Sequence, residues 1–166
     1  GGEDQEFGKS MNNATETAYH LDLNTRAWFA FDDCFGTSEE KLLIQYIDKR
    51  YKDLSKVYSE AYLIRNEKHF KIYAFEDGRP FEPDFILYLI GKEKTDTMHY
   101  QVFVEPKGTH LLKADEWKEK FLVSIKEHFE VEQLFSNKKY VVWGLPFFNS
   151  TERMPEFEEA FEEVLQ

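Results

Sequence analysis

Along FGTSEEKLLIQYIDKRY the apolar residues Leu43, Ile44 and Ile47 recur at helical spacing, which predicts an amphipathic helix. Thr37 can cap its start, and Glu40 completes a Thr-x-x-Glu box. KHFKIYAF alternates apolar and polar positions as a half-buried strand does, and the turn-forming EDGRP follows it. PDFILYLI is apolar on both faces, which predicts a central strand covered on two sides. After the polar turn GKEKTDT, MHYQVFVEPKG reads as a third strand, close enough in sequence to pair with the second as an antiparallel hairpin. Trp117, Phe121, Leu122 and Ile125 return to helical spacing within Ala114 to Phe129. KKYVVWGLPFF is a fourth strand ended by Gly144 and Pro146, and PEFEEAFEEVLQ is an acidic helix opened by Pro155.

The predicted order is helix, three strands, helix, strand, helix. It implies an α/β fold with a mixed central β-sheet flanked by helices. The helical crossover between the third and fourth strands makes that pair parallel. Ahead of these elements, MNNATETAYHLDLN is polar and then weakly alternating, which suggests a mobile lead and an edge strand. GGEDQEFGKS reads as a tag remnant. The expected organisation is a remnant or mobile lead over residues 1–15 and a single domain over 16–166, excised from a larger chain.

A chain of 166 residues with sixteen Phe and nine Tyr has enough apolar mass for one sizeable core, which excludes a disordered tail. Its formal net charge of -11 argues against autonomous binding of nucleic acid, because phosphates are gripped by basic patches. No apolar run approaches the ~18 residues of a membrane span. The single cysteine, Cys34, has no internal partner and lies beside two acidic residues, so it reads as a structural thiol in a reducing, cytoplasmic setting.

The chemistry concentrates at two strand ends. Glu105 and Lys107 are two apart, so both side chains project on one face. Asp84 opens the neighbouring strand, and the hairpin brings its carboxylate close to Glu105. Two adjacent carboxylates call for a cation, and an all-oxygen set suits Mg²⁺, with Mn²⁺ as a substitute. Beside such an ion Lys107 can position water or neutralise charge on a phosphate. The ordinary alternative is a solvated Glu105–Lys107 ion pair with Asp84 as a turn residue after Pro83. Likewise, Trp117 and Phe121 read as core rather than base-stacking residues. Lys118, Lys120 and Lys126 read as a solvated helix face, His110 as a surface group, and Asp115 as a cap or first-turn residue of the helix after it.

Pro-Asp opening one strand and Glu-Pro-Lys-Gly closing the next, after a helix that carries Glu40, resembles the PD-(D/E)XK nuclease superfamily. The run from Pro83 through QVFVEPKGTHLLKADEWKEKFL to GLPFFN is most similar to the C-terminal endonuclease domain of type III restriction enzyme Res subunits. That resemblance covers Thr37 to Asn149. It implies that Asp84, Glu105 and the Pro106 carbonyl ligate metal and that Lys107 serves the attacking water or the transition state. It also implies a further carboxylate from the first helix, for which Glu40 fits better than Glu39. Implied partners are double-stranded DNA, a helicase-like motor in the same chain and a modification methyltransferase subunit. The alternatives are a nuclease domain of another restriction or resolvase system, and a non-catalytic docking module with a nuclease-like fold.

Overall fold

The computed structural model describes residues 38–66, 71–73, 77–128, 130–132 and 139–166. Thr37, Cys34 and the expected edge strand of the lead lie outside them. Helix α1 (Ser38–Lys49) buries Leu43, Ile44 and Ile47 completely, so the predicted stripe is its inward face. A short helix α2 (Tyr51–Val57) follows and leads directly into strand β1 (Tyr58–Arg65). Both were missed by the sequence reading. From Leu54 through Tyr58 and Ala61 the apolar residues keep helical spacing, while Ala61, Leu63 and Arg65 also alternate, so the period is ambiguous until the strand finds its partner.

The alternating KHFKIYAF segment is not the first strand of the main sheet. Within it the described strand is β2 (Ile72–Tyr73), which pairs with β3 (Pro80–Phe81) in a separate two-stranded sheet. Gly78 turns that hairpin at φ +70°, a conformation open to glycine at little cost. The main sheet contains β1, β4 (Phe85–Gly91), β5 (Met98–Val104), β6 (Glu130–Glu132) and β7 (Lys139–Gly144), in the order β1-β4-β5-β7-β6. β4 is antiparallel to both β1 and β5, as the predicted hairpin requires. The crossover through α3 (Glu116–His128) makes β5 and β7 parallel. β6 is a short antiparallel edge that its three residues could not announce by pattern.

The result is a mixed sheet with helices on both faces. On one side α1 and α4 (Met154–Val164) cover Ala61, Leu63, Phe85, Leu87, Leu89, Val102 and Val104. On the other side α3 and Phe81 cover Ile86 and Phe103 through Phe121, Leu122 and Ile125. β4 is therefore buried from both directions, which explains its continuous apolar run. β7 lies so close to α3 that a Cβ on Gly144 would stand 2.1 Å from the Leu122 carbonyl oxygen.

Candidate active site

Four strand termini meet at one edge of the sheet. β1 ends on Arg65, β4 begins after Asp84, β5 ends before Glu105, and β7 runs out into Leu145–Asn149. The register Phe85↔Val104, continued by one residue, sets Asp84 opposite Glu105, and by two sets Pro83 opposite Pro106. Neither proline has an N–H to offer, so the ladder opens here. The Asp84 backbone N–H donates instead to the Glu105 carboxylate, at 2.9 Å. The sequence expectation that these two residues are neighbours is thus met by a direct bond.

Past β5 the chain stays extended. Pro106 bridges Phe148 in parallel, with Phe148 N–H donating to the Glu105 carbonyl and Lys107 N–H to the Phe148 carbonyl, each at 2.9 Å. This extension keeps Glu105 and Lys107 on one face, with Lys107 Nζ 3.6 Å from Glu105 Oε1. By the same alternation the Pro106 carbonyl turns away from Phe148, toward the side on which β4 lies. Asn149, fully buried, fastens the extension by donating to the Lys107 carbonyl at 2.9 Å and to Thr109 Oγ1 at 3.0 Å. Its own side-chain oxygen accepts the N–H groups of Thr151 and Glu152. Sequence reasoning had assigned Asn149 no role beyond closing the segment that carries the resemblance.

Lys107 reaches a second carboxylate. Its ammonium donates to Asp115 Oδ2 at 2.7 Å, and Lys118 stands 3.6 Å from the other Asp115 oxygen. Asp115 directly precedes α3, as expected of a cap or first-turn residue, but its carboxylate is engaged by these two lysines. A lone Asp at a helix start carries no sequence feature that separates the two uses. Burial alone would lower the Lys107 pKa. The Asp115 hydrogen bond and the charges of Glu105, Asp115 and Asp84 outweigh it and hold the ammonium above its ordinary range. Burial works against the Asp115 carboxylate too, but Lys107 and Lys118 hold it below the usual carboxylate value.

Asp84 and Glu105 behave in the opposite way. Burial lifts Asp84, and the charge of Glu40 lifts it further, against the hydrogen bond with Glu105 and the charges of Arg65 and Lys107. Glu105 is pushed well above its ordinary value by burial and by the charge of Asp84, with Lys107 and the Asp84 N–H only partly compensating. Each carboxyl group thus opposes the ionisation of the other.

Glu40 arrives from the first turn of α1, and the Arg65 guanidinium donates to its carboxylate in a buried ion pair. Glu39 is turned elsewhere, with both oxygens taken by the backbone N–H and hydroxyl of Ser150, each at 2.9 Å. Of the two helix glutamates, Glu40 is the one whose charge reaches Asp84. Of the lesser candidates Asp115 and Lys118 join this cluster, so Lys118 is not part of a solvated face, while His110, Lys120 and Trp117 lie outside it. His110 is exposed on a 3₁₀ turn, and Lys120 is a solvated partner of Glu116. Trp117 packs against the core on the α3 side while the Arg79 guanidinium sits 3.6 Å above its ring.

These groups fit a hard divalent cation. Among the described residues no three His, Cys, Asp or Glu side chains are grouped closely enough to hold an ion by themselves. Two carboxylates and a carbonyl form the partial oxygen shell that suits Mg²⁺, which retains waters and takes up substrate phosphate. A +2 charge would also offset the mutual repulsion of the two carboxylates.

Fold and site together define an α/β domain whose sheet edge carries an acidic pair, Glu105 buried and Asp84 half-buried, beside a lysine. The profile of the family described as HI_1054_C, C-terminal domain, matches residues 5–165, and the chain belongs to that family. A protein of Haemophilus influenzae described as uncharacterized is 42% identical over 142 residues. The match covers 81% of this chain and 31% of that relative, so the chain spans about a third of its length. No solved structure matches the chain. Among the described residues no helix is long and apolar enough to cross a membrane.

Proposed function

We propose that the chain is the Mg²⁺-dependent endonuclease domain of a larger DNA-processing enzyme, of the PD-(D/E)XK type and closest to the nuclease domain of type III restriction subunits. The observation that supports it best is the meeting of Asp84, Glu105 and Lys107 at the ends of two paired central strands, with Asp84 N–H bonded to Glu105 and Lys107 Nζ 3.6 Å from it. A mixed sheet with helices on both faces is what a restriction-endonuclease-like core requires.

In this reading Asp84, Glu105 and the Pro106 carbonyl hold the ion. Bound there, an ion would supply Lewis acidity toward the phosphate and the attacking water. Lys107 has a different duty from that of a base. Its proton is held by Asp115 and Glu105, so it offers a fixed positive charge to the phosphate oxygens as negative charge builds on them. Asn149 fixes the backbone that carries Lys107, which limits how far the ammonium can drift from its target. The acidic balance of -11 supports a division of labour in which a motor region of the parent chain and a methyltransferase subunit hold and select duplex DNA.

The deciding experiment uses the parent enzyme. Lys107→Ala should lower DNA cutting by about 100-fold or more, as losing a preorganised charge does, with ATP turnover retained. Normal cutting by that variant would sink the nuclease reading and favour a docking module.

A further inference from the structure

The inward row of β1 runs Ala61, Leu63, Arg65, so a guanidinium stands where the pattern calls for an apolar side chain. It is buried, its Cζ lies 5.1 Å over the Phe85 ring, and it donates to Glu40. Arg65, Glu40 and Phe85 therefore belong to the face of the sheet covered by α1. Glu105 and Lys107 belong to the other face, where Lys107 meets Asp115 and lies 5.3 Å from the ring of Phe147. Asp84 stands between the two groups, bonded to Glu105 and within reach of the charges of Glu40 and Arg65.

Each outer carboxylate thus has a cation assigned to it. Asp115 is held by Lys107, and Glu40 by Arg65. A buried ion pair of this kind resists separation, because either partner left alone would be a charge without compensation in a low dielectric. A divalent ion beside Asp84 would have to compete with the Arg65 guanidinium for the Glu40 carboxylate. The Asp84–Glu105 pair is held more loosely, since the Lys107 ammonium stands 3.6 Å from Glu105 and is bonded at 2.7 Å to Asp115.

We propose that Arg65 is a positioning residue, a built-in cation that keeps Glu40 on the α1 face and out of direct contact with the divalent ion, so that the site takes one ion on Asp84, Glu105 and the Pro106 carbonyl. This rests on the metal-site reading above. Arg65 then fills the place of a second cation beside Asp84, and Glu40 acts by neutralising Arg65.

The test is Mn²⁺ binding to the purified chain, followed by calorimetry and electron paramagnetic resonance, so that the readout is stoichiometry and affinity and not turnover. Wild type should bind one ion. The charge-balanced double variant Glu40→Gln with Arg65→Gln should still bind one ion within about threefold of the wild-type affinity, whereas Glu40→Gln alone, which leaves Arg65 uncompensated beside Asp84, should bind one ion more weakly than the double variant. Asp84→Asn or Glu105→Gln should weaken binding by at least about tenfold, the cost expected when a metal site is disturbed. Two ions of similar affinity in wild type, or a loss in both Glu40 variants as large as in Asp84→Asn, would overturn the role of Arg65 while leaving the metal site intact. Unchanged binding in Asp84→Asn and Glu105→Gln would instead remove the metal-site reading itself.

Discussion

The energetic tension of the molecule lies in two residues. The half-buried Asp84 lies against the buried Glu105, and both carboxyl groups sit above their ordinary pKa values, mainly through desolvation and then through nearby negative charge. A carboxylate raised in the folded state stabilises the fold below its unfolded pKa, and that stability is lost as pH rises through the folded value. The metal-free protein should therefore weaken progressively above about pH 4, the ordinary carboxylate range, until Glu105 is fully ionised. Asp84→Asn removes one member of the conflict. In chelator, its melting temperature should exceed that of wild type at neutral pH by about 2–4 °C, equivalent to about 1 kcal/mol, and the difference should vanish in acid. Melting curves from pH 4 to 8 check this, and a wild type that stays the more stable at neutral pH would contradict it. Lys107 is the reverse case, since the Asp115 hydrogen bond keeps it charged throughout that range.

Among the elements, β7 and α3 approach closely, and Gly144 permits it. Alanine there would place its Cβ 2.1 Å from the backbone carbonyl oxygen of Leu122, which a rotamer change cannot relieve. Gly144→Ala should cost about 2–3 kcal/mol, in line with overpacking elsewhere, and chemical denaturation will measure it. A loss below about 0.5 kcal/mol would mean that the strand and helix can separate freely at this point. The residues after Gly144 make the contact matter for the site. Phe147 N–H donates to Glu119 of α3 at 2.9 Å, and Glu119 in turn pairs with Arg153 next to α4. Asn149 then fastens the same segment to the Lys107 backbone. Sequence pattern found α1, β4, β5, α3, β7 and α4 because each is long and strongly periodic. It passed over α2, β1 and β6, where two periods overlapped or the run was too short to show one.

At the scale of the whole molecule, the excess of 32 acidic over 21 basic residues sets what the chain can do alone. With a net charge of -11 opposing the phosphates, the isolated chain should bind a short DNA duplex no tighter than about 10 µM at physiological salt, within the range of non-specific association. Cleavage by the isolated chain should be correspondingly weak. Fluorescence anisotropy with a labelled duplex tests this, and submicromolar binding would show that the chain supplies its own grip.

The central hairpin, the parallel crossover pair and the nearness of Asp84, Glu105 and Lys107 were determined by sequence alone, because each follows from local periodicity and from strand ends marked by proline. The tertiary structure decided what those residues touch. Asp115 and Lys107 are eight positions apart, Glu40 and Arg65 twenty-five, and Asn149 and Lys107 forty-two. No local pattern encodes such pairings, since a carboxylate at a helix start reads the same whether it caps its own helix or holds a cation from another strand. Packing α1 and α3 on opposite faces of the sheet separated those possibilities and turned three candidate residues into a network of charges around one sheet edge.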